Sequence, residues 1–358
     1  MKIDKETTVL INYFTELVKI DSPSGEEKEI GEYLKKWLSK NKFSFNQDKV
    51  GNILAQKKST GVPILFCAHM DTVDPGRGIK PVIKNDNIQS SGDTILGADN
   101  KVAIAAIMTA IEEYSGSRSL EILFTVEEET IGGIAQVDFK KIKSKYGVIF
   151  DLAKPIGEIV VAASYIINFH LEFKGISSHS SRPKEGVNAL FPAVDFVEEI
   201  KKFFSLQNET IVNIGKLQSG SVVNAVPGFS VIDGEIRSFD KKDFDIKIAK
   251  IKELAGQVAK QYEVKSKIIF DGYCSGYEVS KNDTFVKKIE NCLNLLGHKT
   301  SFVKTYGISD SNALINAGIK VINLSDGVNN AHTTEENVKI SSIVELKKVI
   351  LTMIDDLT

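Results

Sequence analysis

His69 and Asp71 close an apolar run, Ile64-Leu65-Phe66-Cys67-Ala68-His69-Met70-Asp71-Thr72-Val73. Two positions apart on a strand, their side chains leave the backbone on the same face. A strand that buries Ile64 and Phe66 has no packing reason to end in an imidazole and a carboxylate aimed together. Further acids and a histidine hold comparable positions: Asp99 in Gly97-Ala98-Asp99-Asn100-Lys101, Glu128 and Glu129 after Leu123-Phe124-Thr125-Val126, Asp151 after Val148-Ile149-Phe150, and His332 late in the chain. Carboxylate oxygens mixed with imidazole nitrogens form the donor set of a zinc-type ion. The chemistry they point to is metal-dependent hydrolysis.

Each residue taken singly has a plainer reading. Asp99, in a turn that opens a helix, is equally an N-cap, and Glu127-Glu128-Glu129 is equally an acidic exit from a strand. The set is more telling than its members, because Asp71, Glu128, Glu129 and Asp151 all follow apolar strands. In an open α/β sheet such residues collect at the carboxyl edge, where ligands bind. Adjacent Glu128 and Glu129 point to opposite sides of an extended backbone, so one serves a metal while the other faces substrate.

The elements that must position these residues alternate. Helical spacing of Leu10, Ile11, Phe14, Leu17 and Val18 predicts a helix over 7–20, and Ser24 with Glu27 predicts a capping box for a second helix through Trp37. Strands are expected at 52–56, 63–68, 120–126 and 147–150, with an alanine-rich helix over 100–114. This is an α/β pattern. Near Ser164 it changes: 165–174 alternates as a half-exposed antiparallel strand does. A helix (189–204), two strands (210–217, 229–237), a helix (244–262) and a strand (264–270) follow. Strand-helix-strand-strand-helix-strand is the order of a ferredoxin-like α+β unit. We therefore expect a discontinuous metal-binding domain, 1–163 with 276–358, interrupted by an inserted domain over 164–275. His332 then lies beyond the insertion while the other candidates precede it.

Composition narrows the class. A chain of 358 residues is long for one core and suits two domains. The net charge of −2, with acids and bases interspersed, gives no footprint for nucleic acid or an anionic membrane. No stretch approaches the ~18 apolar residues of a membrane span. The start, Met1-Lys2-Ile3-Asp4-Lys5, lacks the apolar segment of a signal peptide. Three cysteines, Cys67, Cys274 and Cys292, cannot form a fully paired framework and suit a reducing compartment. A cytoplasmic protein is expected, with Cys67 packed in the core.

The ordered motifs resemble those of the di-zinc metallopeptidases that include peptidase T, carboxypeptidase G, aminoacylase and succinyl-diaminopimelate desuccinylase. They are His69-Met70-Asp71-Thr72-Val73, Gly97-Ala98-Asp99-Asn100-Lys101, Thr125-Val126-Glu127-Glu128-Glu129, Asp151, Gly175-Ile176-Ser177-Ser178-His179-Ser180, Asn224 with Arg237, Gly307-Ile308-Ser309-Asp310-Ser311-Asn312, and His332 with Glu335. The resemblance implies a zinc-exopeptidase-like central mixed sheet with helices on both faces, plus an inserted lid and dimerisation domain. It implies two divalent ions, zinc with cobalt or manganese as alternatives. Asp99 bridges them, His69 and Asp151 complete one site, and Glu129 and His332 complete the other. Asp71 orients His69, and Glu128 is the general base acting on a metal-bridging water. His179 stabilises the transition state, reaching a partner's site through a homodimer of inserted domains. Asn224 and Arg237 hold a substrate carboxylate. Asn100 stands where many relatives carry a second aspartate.

Within that group, Asp74-Pro75-Gly76-Arg77-Gly78-Ile79-Lys80-Pro81 and Ser91-Gly92-Asp93-Thr94-Ile95-Leu96 resemble the peptidase T branch. The expected activity is release of the N-terminal residue of short peptides, tripeptides foremost. A carboxypeptidase or an N-acyl-amino-acid deacylase is the alternative, and a metal-free binding protein would require a lost ligand.

Overall fold

Two segregated sets of buried side chains cover the two faces of the strand Thr60–His69. Ile64, Phe66 and Ala68 join one apolar cluster, and Leu65 and Cys67 join another. A strand sealed on both faces belongs inside a parallel sheet flanked by helices. In the computed structural model, which describes residues 4–130, 132–203 and 209–357, that strand runs parallel to Arg118–Thr125 on one side and Tyr146–Phe150 on the other. Lys320–Leu324 extends the parallel set, and Ile53–Lys57 and Ser44–Gln47 add antiparallel strands at one edge. The central sheet is therefore mixed, in the order Ser44–Gln47, Ile53–Lys57, Arg118–Thr125, Thr60–His69, Tyr146–Phe150, Lys320–Leu324, Glu158–Ala163, Tyr277–Glu278.

The helix Ala98–Glu113 packs into the larger cluster with Lys5–Val18 and Ile340–Asp356. Its run of Ala103, Ala105, Ala106 and Ala110 is fully buried, which lets neighbouring backbones approach closely. Each fully buried isoleucine there, Ile104 or Ile107, contributes roughly 1.5–3 kcal/mol of transfer free energy. Two compact units divide the chain: Met1–Val161 with Glu278–Lys304 and Ser309–Thr358, and Ala162–Tyr277 with Thr305–Ile308. The sequence reading leaves Thr305–Ile308 with the first unit.

In the second unit four antiparallel strands run in the order Thr210–Ser219, Phe229–Ser238, Tyr165–Lys174, Lys265–Cys274. By position in the insertion this is 2-3-1-4, the ferredoxin-like arrangement. The alternation of the first strand decides its faces. Ile167, Phe169, Leu171 and Phe173 bury with Phe196, Ile200, Phe244 and Ile251 of the helices Leu190–Phe203 and Lys241–Gln261, while Asn168, His170 and Glu172 stay partly exposed.

The expected capping box does not form. The second helix starts at Lys28 with Glu27 at its N-cap and no side-chain cap bond. Other partners take both side chains instead: Ser24 Oγ donates to Asp71 Oδ2 at 2.7 Å, and Glu27 Oε1 accepts from the N–H of the adjacent turn at Gly25 (2.8 Å) and from the distant N–H of Glu127 (2.9 Å). Among the described residues, no helix is long and apolar enough to cross a membrane.

Candidate metal centre

Parallel register sets the site. His69 lies beside Thr125, and Leu324 beside Phe150. Every strand that carries a candidate therefore ends at one edge, and the turns beyond bring Asp71, Glu128, Glu129 and Asp151 together there.

Asp99 stands between two imidazoles. Its Oδ1 is 3.2 Å from His69 Nε2 and its Oδ2 is 3.3 Å from His332 Nε2. His332 Nε2 also lies 2.9 Å from Glu129 Oε1, and His69 Nε2 lies 4.0 Å from Asp151 Oδ1. Two groups of donor atoms fall within 4.8 Å of one another: His69, Asp99 and Glu129, and His69, Glu128 and Asp151. The N-cap reading of Asp99 does not hold. Gly97 is the N-cap of the helix, and Asp99 leaves helical geometry (ψ 109) with its carboxylate turned to the imidazoles. His332 takes a positive φ of 65°, which costs a non-glycine residue on the order of 1 kcal/mol.

Burial and mutual repulsion set the electrostatics of these acids. Desolvation first, then Asp151, raises the Glu128 carboxyl well above the usual range. Desolvation and Asp99 do the same to Asp151. Burial also opposes ionisation of Asp99, but His332 and His69 outweigh it and hold that carboxyl low. Asp99 and Glu129 push His332 up to about 10. Hard oxygens crowded around two imidazole nitrogens fit a pair of divalent cations by donor chemistry.

Around these groups lies a scaffold of buried polar residues, of which Asn52 and Asn323 drew no notice in the sequence, while Thr125 and Asp310 stood in its motifs without an assigned role. Asp71 accepts from the backbone N–H groups of Glu128 (3.0 Å) and Glu129 (3.1 Å) as well as from Ser24. Its backbone O lies 3.0 Å and its Oδ1 3.3 Å from His69 Nδ1, so one residue orients the imidazole and the acidic turn together. Asn323 brackets the Asp151 backbone, accepting from its N–H and donating to its carbonyl, both at 2.9 Å. Asn52 does the same between Val126 N–H (3.0 Å) and Gly133 O (2.8 Å). Position 133 must be glycine, because a Cβ there would fall 1.8 Å from Val126 O. Asp310 accepts from Thr125 Oγ1 at 2.5 Å and is pushed up to about 6 by desolvation. Cys67 packs in the core with its thiol 3.6 Å from Asp310. The signal for several of these was a polar residue inside an apolar strand, as in Val321-Ile322-Asn323-Leu324.

The remaining candidates belong to the second unit. His179 and Asn224 sit together: Ser178–His179 pairs with Ala225–Val226, and Ser180 N–H donates to Asn224 O at 2.9 Å. Both are exposed. Arg237 is elsewhere. It pairs with Ile166 and Ile211 at the other end of the sheet from Phe229, which pairs with Lys174. Eight residue steps along the strand separate Phe229 from Arg237, about 26 Å. Its guanidinium forks onto Glu235 (2.9 and 3.1 Å) and donates to Tyr306 O at 2.8 Å. One copy of this unit does not bring Asn224 and Arg237 to a common carboxylate.

A mixed α/β sheet with a divalent-cation donor set at its carboxyl edge and a ferredoxin-like insertion defines a class, the metallopeptidases with an inserted dimerisation domain. Comparison agrees. Residues 161–263 match the peptidase dimerisation domain. Aminopeptidase PepT from Bacillus cereus is 30% identical over 98% of both chains, with a TM-score of 0.88. A tripeptidase from Staphylococcus aureus is 27% identical over 98% of both, with a TM-score of 0.92. The uncharacterised Bacillus subtilis protein YqjE is 28% identical over 97% of this chain and 98% of its own. The protein belongs to the M20 family of metallopeptidases, which includes peptidase T.

Proposed function

We propose that this protein is an aminopeptidase that removes the N-terminal residue of short peptides, tripeptides foremost, with two divalent ions held by His69, Asp99, Glu129, Asp151 and His332. The observation that carries the reading is the Asp99 carboxylate between two imidazoles from distant parts of the chain. Asp99 would be shared between the ions, with His69 and Asp151 holding one and Glu129 and His332 the other. Zinc is the expected metal, with cobalt and manganese compatible with the same donors. Bound ions of this kind polarise the scissile carbonyl and make water acidic enough to attack at neutral pH.

The protein's own groups do the rest. Glu128 accepts the proton of the attacking water and returns it to the leaving amine. Asp71 holds His69 so that Nε2, not Nδ1, faces the acids. His179 and Asn224 come from one copy of the chain and Arg237 from the other, because a single sheet holds them at opposite ends. This reading makes the enzyme a homodimer through the 161–263 region. Its three free thiols, Cys67, Cys274 and Cys292, accord with a cytoplasmic setting.

The names of the two solved relatives, an aminopeptidase and a tripeptidase, support release from the N-terminus. The test is a side-by-side assay of free tripeptides, N-acetylated tripeptides and N-acetyl amino acids with added Zn²⁺, Co²⁺ or Mn²⁺. Free tripeptides should yield one amino acid and a dipeptide, and acetylation should abolish cleavage. Turnover of the acylated substrates alone would replace this reading with a deacylase. Release of the C-terminal residue would replace it with a carboxypeptidase.

A further inference from the structure

We propose that Glu336 is a positioning residue for the metal centre. Its carboxylate locks the Asp99 turn to the His332 loop, so two ligands far apart in sequence are held as one piece. The inference rests on the reading of Asp99 and His332 as ligands.

Glu336 is only 1% exposed, while its neighbour Glu335 lies on the surface. It accepts three successive backbone hydrogen bonds: Oε2 from Gly97 N–H at 2.7 Å, and Oε1 from Ala98 N–H at 2.9 Å and Asp99 N–H at 3.0 Å. These N–H groups open the helix Ala98–Glu113, whose N-cap, Gly97, has no side chain to offer. The first N–H groups of a helix have no partner inside it, and the helix dipole favours an anion at that end. A local Ser or Asp normally answers both needs. Here the answer comes from a residue four positions after His332, across more than two hundred residues of chain.

The arrangement leaves little freedom. Gly97 takes φ 67, and a Cβ there would press on Ile79 (3.2 Å) and Thr72 (3.3 Å). Lys101, fully buried one turn along, donates from Nζ to Ile20 O at 2.8 Å and adds a cation to the field of Glu336. The His332 loop turns back on itself, with Glu336 N–H donating to Thr333 O at 3.0 Å. The buried acid at one end of this loop therefore fixes where the half-exposed imidazole at the other end meets Asp99.

A residue that only caps a helix would change melting temperature alone. A positioning residue changes how the site takes up metal. The experiment is a Co²⁺ titration of the metal-free full-length protein, followed by visible absorption, for wild type, Glu336→Gln and Glu336→Asp. Thermal unfolding, kcat and KM are measured on the same samples. Gln keeps the shape but turns an amide donor toward a backbone donor, and Asp keeps the charge but shortens the reach. The proposal expects wild type to bind two Co²⁺ per chain. Both variants should bind at least one of them roughly tenfold more weakly, in line with the effect of losing a residue that supports a ligand. Their kcat should recover as Co²⁺ is raised, with KM unchanged. Wild-type affinity in both folded variants, with only a lower melting temperature, would overturn the proposal and leave Glu336 a plain cap. A wild type that takes up no pair of ions would instead sink the ligand reading on which the proposal stands.

Discussion

The two units of this chain assemble chemistry in opposite ways. In the first, residues from position 69 to position 332 converge until Asp99 touches two imidazoles. In the second, candidates only thirteen positions apart, Asn224 and Arg237, are carried to opposite ends of a sheet. Parallel strands gather distant residues at one edge, whereas a long antiparallel strand spreads nearby residues along its length. A site within one copy follows from the first pattern. The second pattern is the one on which the proposed sharing of a site between copies rests.

The largest effect that could break this contrast comes from mixing two inactive variants, Glu128→Gln and His179→Ala. If His179 serves the partner's centre, a mixed dimer holds one intact site and one doubly damaged site. Random reassortment then restores about a quarter of wild-type turnover. If His179 serves its own chain, mixing restores nothing.

Inside the first unit, Asp71→Asn places an amide donor against the N–H groups of Glu128 and Glu129 and weakens its hold on His69 Nδ1. Metal affinity should fall by roughly 10–100-fold, measured by chelator competition. In the second unit, Arg237→Ala should raise KM roughly tenfold with a smaller change in kcat. Lysine should not restore it, because the planar fork is what grips a carboxylate. A kcat defect with unchanged KM would remove Arg237 from substrate binding.

The smallest effect concerns His170, on the open face of the second sheet, 2.6 Å from Asp233 and 3.3 Å from Glu172. Asp233 foremost raises its pKa above 6.5 in the folded state. The stabilisation is therefore complete below pH 6.5 and fades as pH climbs through the higher folded value. Because the pair is over a third exposed, it is worth under about 1 kcal/mol. Thermal melts of His170→Gln should show a deficit at low pH that closes at high pH. A deficit independent of pH would assign the loss to packing.

The sequence displayed the candidates His69, Asp71, Glu128, Glu129 and Asp151, because apolar strands that end in acids or histidine announce a sheet edge, whereas Asp99 and His332 follow no such strand and took their ligand roles from the resemblance. It misread residues whose partners are remote. Ser24 and Glu27 have the spacing of a local cap, yet they bond to the distant Asp71 and Glu127. Glu335 and Glu336 are indistinguishable in the string, and only burial tells the surface acid from the one that holds the Asp99 turn. The separation of Asn224 from Arg237 was hidden for a related reason. Thirteen residues say nothing of distance until a strand lies between them.

The division of labour between Glu128 and its neighbours is the decisive point, since Glu128 lies close enough to His69 and Asp151 to be a ligand itself. Metal content of purified wild type and Glu128→Gln, measured by atomic emission beside kcat, separates the roles. Two ions per chain in both proteins, with kcat down by roughly 10²–10⁴ in the variant, is the predicted result. Loss of metal in step with loss of activity would contradict it and make Glu128 a ligand, not the base.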